Sequence, residues 1–97
     1  MNIYLLTQNA NRGYDTFNSF VVAAPNAEEA RRMHPRGDRR WVGPTDGGPG
    51  RWVWADDSWG IPGALGWVHP SDVTVEHVGI ALEGVKAGVL CASFNAG

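Results

Sequence analysis

The chain has 97 residues, of which 43% are hydrophobic, and a formal net charge of −2. This length predicts a single domain over residues 1–97, because a second domain would leave neither half enough apolar surface for a core. The one cysteine, Cys91, excludes an internal disulfide and is typical of a reducing compartment. The opening residues lack the basic start and the apolar length of a signal peptide or a membrane span, so we expect a cytoplasmic protein.

The first third of the chain predicts two strands and a helix. Residues 3–7 are rich in β-forming side chains, and residues 17–24 become apolar again after a polar loop, so we expect two antiparallel strands. Asn26 is placed to cap a helix, with Glu29 three residues later in the capping-box position. The predicted helix extends over about residues 27–34 and ends before a proline.

The central residues 36–66 contain eight glycines and three prolines and show little regular structure. Trp41-Val42 and residues 52–54 are brief β-like islands. A structureless loop of this length is unusual in a compact domain, so either it is a flexible excursion or its own tryptophans hold it in place. We favour the second interpretation, because tryptophan is costly to leave exposed, and we expect residues 52–54 to form a short strand.

The last third predicts two more strands. Residues 72–78 alternate between apolar and polar, as a half-buried strand does. Residues 89–94 are almost continuously apolar, which predicts a strand in the middle of the sheet, with Cys91 as a small core residue. The fold class is therefore α+β: a single small antiparallel or mixed sheet, in the order β-β-α-(long irregular segment with a short strand)-β-β, with one helix on one face.

Basic and aromatic residues are concentrated in the centre of the chain. Six of the eight basic residues lie between Arg31 and Arg51, and all five tryptophans lie between Trp41 and Trp67. Guanidinium groups bind phosphates bidentately and indole rings stack on bases, so this segment predicts a site for a nucleotide-like ligand. The alternative is that the tryptophans only fix a long loop and the arginines only keep it soluble. The candidate ligand-binding residues of this segment are Arg39, Arg40, Trp41, Arg51 and Trp52.

The polar loop at residues 9–16 is a second candidate region. Arg12, Tyr14 and Asp15 offer a charge, a stacking ring and a hydrogen-bond acceptor within four residues, although an ordinary hairpin connection would also look like this. Asn95, close to the end of the last strand, is a further candidate for the ligand or for a subunit contact.

No catalytic site, cofactor or metal site is predicted. The three histidines have no spacing typical of metal ligands, and there is no cysteine pair. Cys91 and His77 form a nominal nucleophile pair, but both lie in predicted strands, and a reactive thiolate needs accessible, electropositive surroundings. We therefore expect a protein without enzymatic activity; a small enzyme is the least favoured alternative, and turnover of a nucleotide by the purified protein would support it.

Both ends of the chain resemble a group of small phage and prophage accessory proteins of unassigned function. The resemblance covers residues 4–9 (Tyr-Leu-Leu-Thr-Gln-Asn), 13–16 (Gly-Tyr-Asp-Thr), 21–24 (Val-Val-Ala-Ala) and 92–97 (Ala-Ser-Phe-Asn-Ala-Gly). It implies a bacterial host cytoplasm and a role against host defence. Such a protein acts either as an oligomeric sponge for a cyclic nucleotide or an ADP-ribose-type signal, or by binding a defence protein directly. It transfers no functional residue.

The first hypothesis is therefore a non-catalytic binding protein that sequesters a small anionic, nucleotide-like ligand. A homo-oligomer is favoured because domains of this size often gain stability by assembly. The alternative hypothesis is an inhibitor that binds a host protein through exposed tryptophans. No membrane partner is expected, and the net negative charge argues against duplex nucleic acid as a partner.

Overall fold

The computed structural model describes residues 1–11, 13 and 16–95. Its main sheet is antiparallel, with the strand order β5-β1-β2-β6. These strands are β1 (Asn2–Gln8), β2 (Thr16–Ala24), β5 (Val73–Ile80) and β6 (Gly88–Asn95). A second, two-stranded sheet is the hairpin of β3 (Arg39–Val42) and β4 (Arg51–Trp54). The helices are α1 (Ala27–Arg31) and a short 3₁₀ helix, Pro70–Asp72.

The described chain is therefore mostly β and broadly α+β, as predicted, but it has two sheets. The prediction of a single sheet is wrong because the central segment forms its own hairpin. The β-like island at Trp41 belongs to β3 and pairs with the strand predicted at residues 52–54, so neither strand joins the main sheet.

Strands β1 and β2 pair antiparallel, as predicted, and bury alternate residues on one face of the main sheet. Leu6 lies opposite Phe20 and Tyr4 lies opposite Val22, and all four side chains are buried. The ring of Trp67 packs edge-on against Phe20, with 4.9 Å between the ring centroids. The core thus lies between this face and the residues of the centre of the chain.

Helix α1 begins at the predicted cap and ends earlier than predicted. The side chain of Asn26 accepts a hydrogen bond from the amide of Glu29 at 2.8 Å. The helix stops at Arg31 because the backbone that follows pairs with β3: the amide of Trp41 donates to the carbonyl of Arg32 at 2.8 Å. Within the described residues, no helix has the length and apolar character needed to cross a membrane.

Strand β6 lies at an edge of the main sheet, so the prediction that it occupies the middle is wrong. Cys91 is exposed, and the expectation that it is a core residue is wrong as well. The apolar run was misleading because, among its side chains that the structure describes, Val89 packs against the core while Leu90 and Cys91 face solvent. His77 lies in β5 at the opposite edge, which separates it from Cys91 by the width of the sheet.

Candidate ligand-binding groove

The inner face of the β3–β4 hairpin packs into an aromatic core. Trp41 and Trp52 are paired across the hairpin, are 6% and 5% exposed, and have ring centroids 5.4 Å apart. The ring of Trp52 also meets the buried His34, and that of Trp41 meets His69. The indole N–H of Trp41 donates to the carbonyl of Pro44 at 2.9 Å. The sequence predicted that these two tryptophans bind a ligand. They lie instead in the core, where other side chains contact their rings.

Arg39 is buried on the same inner face. Its guanidinium donates to both carboxylate oxygens of Asp38 at 2.8 and 3.2 Å, and to the carbonyl of Gly63 at 2.7 Å. It also lies 4.9 Å from the ring centroid of Trp54. The hydrogen bonds from Arg39 lower the pKa of the Asp38 carboxyl below its ordinary value. Arg39 thus ties the hairpin to the segment around Gly63, and its side chain is almost entirely removed from solvent.

Arg31 and Arg32 are also used within the fold. Arg31 donates to the carbonyls of Pro70 and Val73 at 3.1 and 2.5 Å, which fastens α1 to the start of β5. Arg32 donates to the carbonyl of Gly43 at 2.7 Å, which fastens α1 to the end of β3. The basic stretch of the sequence is therefore divided between arginines that stabilise the fold and arginines that remain on the surface. The surface members are Arg36, Arg40 and Arg51.

The outer face of the hairpin borders a groove of about 730 Å³, a volume within the range of small-molecule sites. Arg40 pairs with Val53, and Arg51 pairs with Val42. The two arginines are therefore diagonal neighbours on one face, with Cα atoms roughly 7–8 Å apart. We call this concave surface the hairpin groove. The residues that line it are Arg40, Val42, Arg51, Val53, Trp54, Asp57, Ser58, Trp59, Gly60 and Ile61.

The charged groups that line the hairpin groove are Arg40, Arg51 and Asp57. The guanidinium of Arg40 lies 3.8 Å from the carboxylate of Asp57, and the two side chains are 54% and 88% exposed. An ion pair this exposed is screened by water and contributes little, so it does not prevent Arg40 from binding an anion. The groove therefore has a net positive charge while the whole chain is negative.

The loop that follows β4 contributes two large, exposed apolar side chains to the lining of the hairpin groove. Trp59 is 98% exposed and Ile61 is 74% exposed. Next to them, the amide of Ser58 donates to the carboxylate of Asp56 at 2.9 Å, and the Ser58 side chain and this amide lower the pKa of Asp56. Exposed aromatic surface beside positive charge is the combination that binds a base and its phosphates.

The structure places the predicted site residues in different environments. Arg40 and Arg51 come together in the hairpin groove, whereas Arg39, Trp41 and Trp52 lie inside. Arg12, Tyr14 and Asp15 lie outside the described residues, as does the side chain of Asn95, whose backbone pairs with Thr16.

Sequence reasoning missed Trp54, Trp59 and Ile61 as groove residues. Trp54 lies opposite Arg39 and contacts its guanidinium, so its ring borders the groove from the inner face. The alternation of β3 and β4 was a usable signal for which of the predicted residues face the groove. Successive side chains of a strand point to opposite faces, so Arg40 and Arg51 cannot share a face with Trp41 and Trp52 in this register. The position of Trp59 depends on a loop, and no periodic pattern predicts it.

No cluster of three or more histidine, cysteine, aspartate or glutamate side chains that could hold a metal occurs in the part of the chain that the structure describes. Comparison of the chain with protein-family models, with curated proteins and with solved structures found no match. A function for this chain therefore has to be argued from the hairpin groove.

Proposed function

We propose that the chain binds a small anionic, nucleotide-like ligand in the hairpin groove without catalysing a reaction. The observation that carries this proposal is the placement of Arg40 and Arg51 on one exposed face, next to an exposed indole, in a groove of about 730 Å³. Guanidinium groups match phosphate oxygens bidentately. A base stacks on the indole of Trp59, and the apolar side chains of Val42 and Val53 form the floor beneath the ligand.

The groove supports binding more readily than chemistry. The guanidinium groups of Arg40 and Arg51 remain protonated and cannot accept a proton in a reaction. They recognise charge and hold it in place. The remaining polar lining consists of the Asp57 carboxylate and the Ser58 hydroxyl, which suit hydrogen bonds to a ribose or a base.

We further propose that this binding sequesters a cyclic nucleotide or ADP-ribose-type signal, as the resemblance to phage accessory proteins implies. Sequestration requires tight binding and slow release. Native mass spectrometry of protein purified from bacteria that make such signals tests the proposal directly. A stoichiometric extra mass that is released intact on denaturation supports sequestration, and the same spectrum reports whether the protein is a homo-oligomer. A protein that never carries such a mass argues against it.

Replacing both groove arginines, Arg40→Ala with Arg51→Ala, is expected to weaken binding of ADP-ribose or a cyclic dinucleotide by about a hundredfold or more. The reason is that each charge-assisted hydrogen bond contributes about 1.5–3 kcal/mol. Isothermal titration calorimetry measures the affinity. The matched control is Arg36→Ala, an exposed arginine outside the groove lining, which should bind like the wild type. An unchanged affinity in the double variant would refute the site.

The exposure of Trp59, Ile61 and Leu65 favours a second function, inhibition of a host defence protein through an apolar contact. Trp59→Ala should abolish either function. The double arginine variant separates them, because it should abolish nucleotide binding and have a smaller effect on an apolar protein contact. If the wild type binds no nucleotide but forms a complex with a defence protein that requires Trp59, the first function is refuted and the second is supported.

A further inference from the structure

The register of the hairpin fixes the order of the groups along the groove. Arg40 and Val53 form one cross-strand pair, and Val42 and Arg51 form the next pair but one along the strands. Trp54 follows Val53 and lies on the inner face, opposite Arg39. The chain then enters the loop that exposes Trp59. Trp59 is therefore at one end of the groove, Arg40 is next, and Arg51 is farthest from it.

The spacing between the two arginine levels is set by the strand. Two residues along a strand correspond to about 6.6 Å, so Arg51 contributes its charge about this distance beyond the level of Arg40. The contact of the Arg40 guanidinium with Asp57 at 3.8 Å confirms that Arg40 lies beside the loop, because Asp57 belongs to that loop. On the outer face, Val53 lies opposite Arg40 and Val42 lies opposite Arg51, so the valines occupy the same two levels as the charges.

We propose that the hairpin groove binds its ligand in line: the base at the Trp59 end, the first phosphate on Arg40, and a further phosphate of the same ligand on Arg51. This inference rests on the proposed function and makes it specific. The ligand class is a nucleotide whose phosphates extend away from the base as a linear chain of two or more. Within the proposed function this selects the ADP-ribose type, which contains a diphosphate, over cyclic nucleotides, whose phosphates lie in a ring. A nucleoside monophosphate reaches Arg40 and leaves Arg51 unused. Arg51 is then the residue that distinguishes polyphosphate from monophosphate ligands.

The test measures the affinities of AMP, ADP and ATP for the wild type and for Arg51→Ala by calorimetry at one fixed salt concentration, with GMP, GDP and GTP as a second series. In the wild type, the triphosphate should bind at least tenfold more tightly than the monophosphate. In Arg51→Ala the monophosphate affinity should stay within about twofold of the wild-type value, and the gain from added phosphates should fall to threefold or less. Arg40→Ala should weaken binding of all three ligands of a series.

Two controls separate the site from general attraction between a cation and an anion. Arg36→Ala removes a positive charge that is also exposed but lies outside the groove lining, and it should retain the full gain from added phosphates. Arg51→Lys keeps the charge and should restore part of the gain. If Arg36→Ala reduces the gain as much as Arg51→Ala does, the in-line reading is wrong.

The failure of this inference can be distinguished from the failure of the proposed function. If mono-, di- and triphosphates bind the wild type equally, and binding still requires Arg40, the groove is a nucleotide site but Arg51 does not distinguish polyphosphate from monophosphate ligands. If Arg51→Ala weakens the monophosphate as strongly as the triphosphate, both arginines hold the same phosphate and the proposed order is wrong. If no nucleotide of either series binds but ADP-ribose or a cyclic dinucleotide does, the inference fails and the proposed function stands. If none of these ligands binds, both fail.

Discussion

At the scale of the residue, the role of an arginine in the hairpin depends on the face of the strand on which its side chain lies, and not on its charge alone. Arg39 and Arg40 are neighbours in the sequence and carry the same charge. Because β3 alternates, Arg39 points into the core and donates to Asp38 and Gly63, while Arg40 points outward and lines the hairpin groove. A count of arginines therefore overstated the ligand-binding charge of the central segment.

The same substitution at these two adjacent positions should have different effects on stability. Arg39→Lys keeps a positive charge but loses the fork that contacts Asp38 and Gly63 together, and the free energy of unfolding should fall by about 1.5–3 kcal/mol. Arg40→Lys, on the exposed face, should change it by less than about 0.5 kcal/mol. Urea unfolding followed by tryptophan fluorescence measures both. Equal losses at the two positions would contradict the division between structural and groove arginines.

At the scale of the element, the glycines that made the centre look irregular are what allow the hairpin to form. The connection between β3 and β4 crosses the edge of the Trp41 ring. A Cβ atom at Gly50 would lie 2.6 Å from Cζ2 of that ring and 2.6 Å from the carbonyl oxygen of Val42. His69 on the other side contacts the carbonyl of Gly48 at 3.1 Å, so the connection has little freedom to move away.

Gly50→Ala should therefore destabilise the protein by about 1–3 kcal/mol, because the added methyl group overpacks the turn against Trp41. The matched control is Gly63→Ala, where a Cβ atom meets nothing within 4 Å; it should be close to neutral. Thermal unfolding of the two variants under identical conditions measures the difference. If Gly63→Ala is as damaging as Gly50→Ala, close packing of the turn is not the reason that glycine is needed there.

At the scale of the whole molecule, local patterns predicted the elements and could not predict how they are arranged. The strands β1, β2, β5 and β6 and the cap of α1 follow from alternation, apolar runs and the Asn26 signal. The separate hairpin sheet and the edge position of β6 depend on pairings between residues far apart in the chain, and a pattern within one strand contains no information about its neighbours. For the hairpin groove, the sequence could predict the types of residue but not their positions. Its aromatic end is formed by a loop residue, Trp59, whose position no periodic pattern predicts.

The buried His34 connects the parts of the molecule that local patterns left unplaced. Its ring contacts Phe17 of β2 and Trp52 of β4, with centroids 6.2 and 5.1 Å away. Its Nε2–H donates to the carbonyl of Ala64, and its Nδ1 accepts from the amide of Arg36 at 3.1 Å. Both ring nitrogens are thus satisfied in the neutral form, and this one side chain joins the main sheet, the hairpin and the following segment.

Protonation of His34 should therefore make the stability of the whole domain depend on pH. Burial lowers the pKa of His34 from 6.5 to about 4, the hydrogen bond to Ala64 opposes this shift, and the charge of Arg39 adds to it. Between these two values the unfolded chain binds a proton that the folded protein does not, so stability must fall as the pH falls from 6.5 towards 4. From pH 7.5 to pH 4.5 the loss from this group should be about 2.5 kcal/mol. Urea unfolding at the two pH values measures it.

His34→Gln should be less stable at pH 7.5 but should lose most of this pH dependence, whereas His77→Gln, at an exposed position, should retain it. A His34→Gln protein with the wild-type pH dependence would show that another group is responsible.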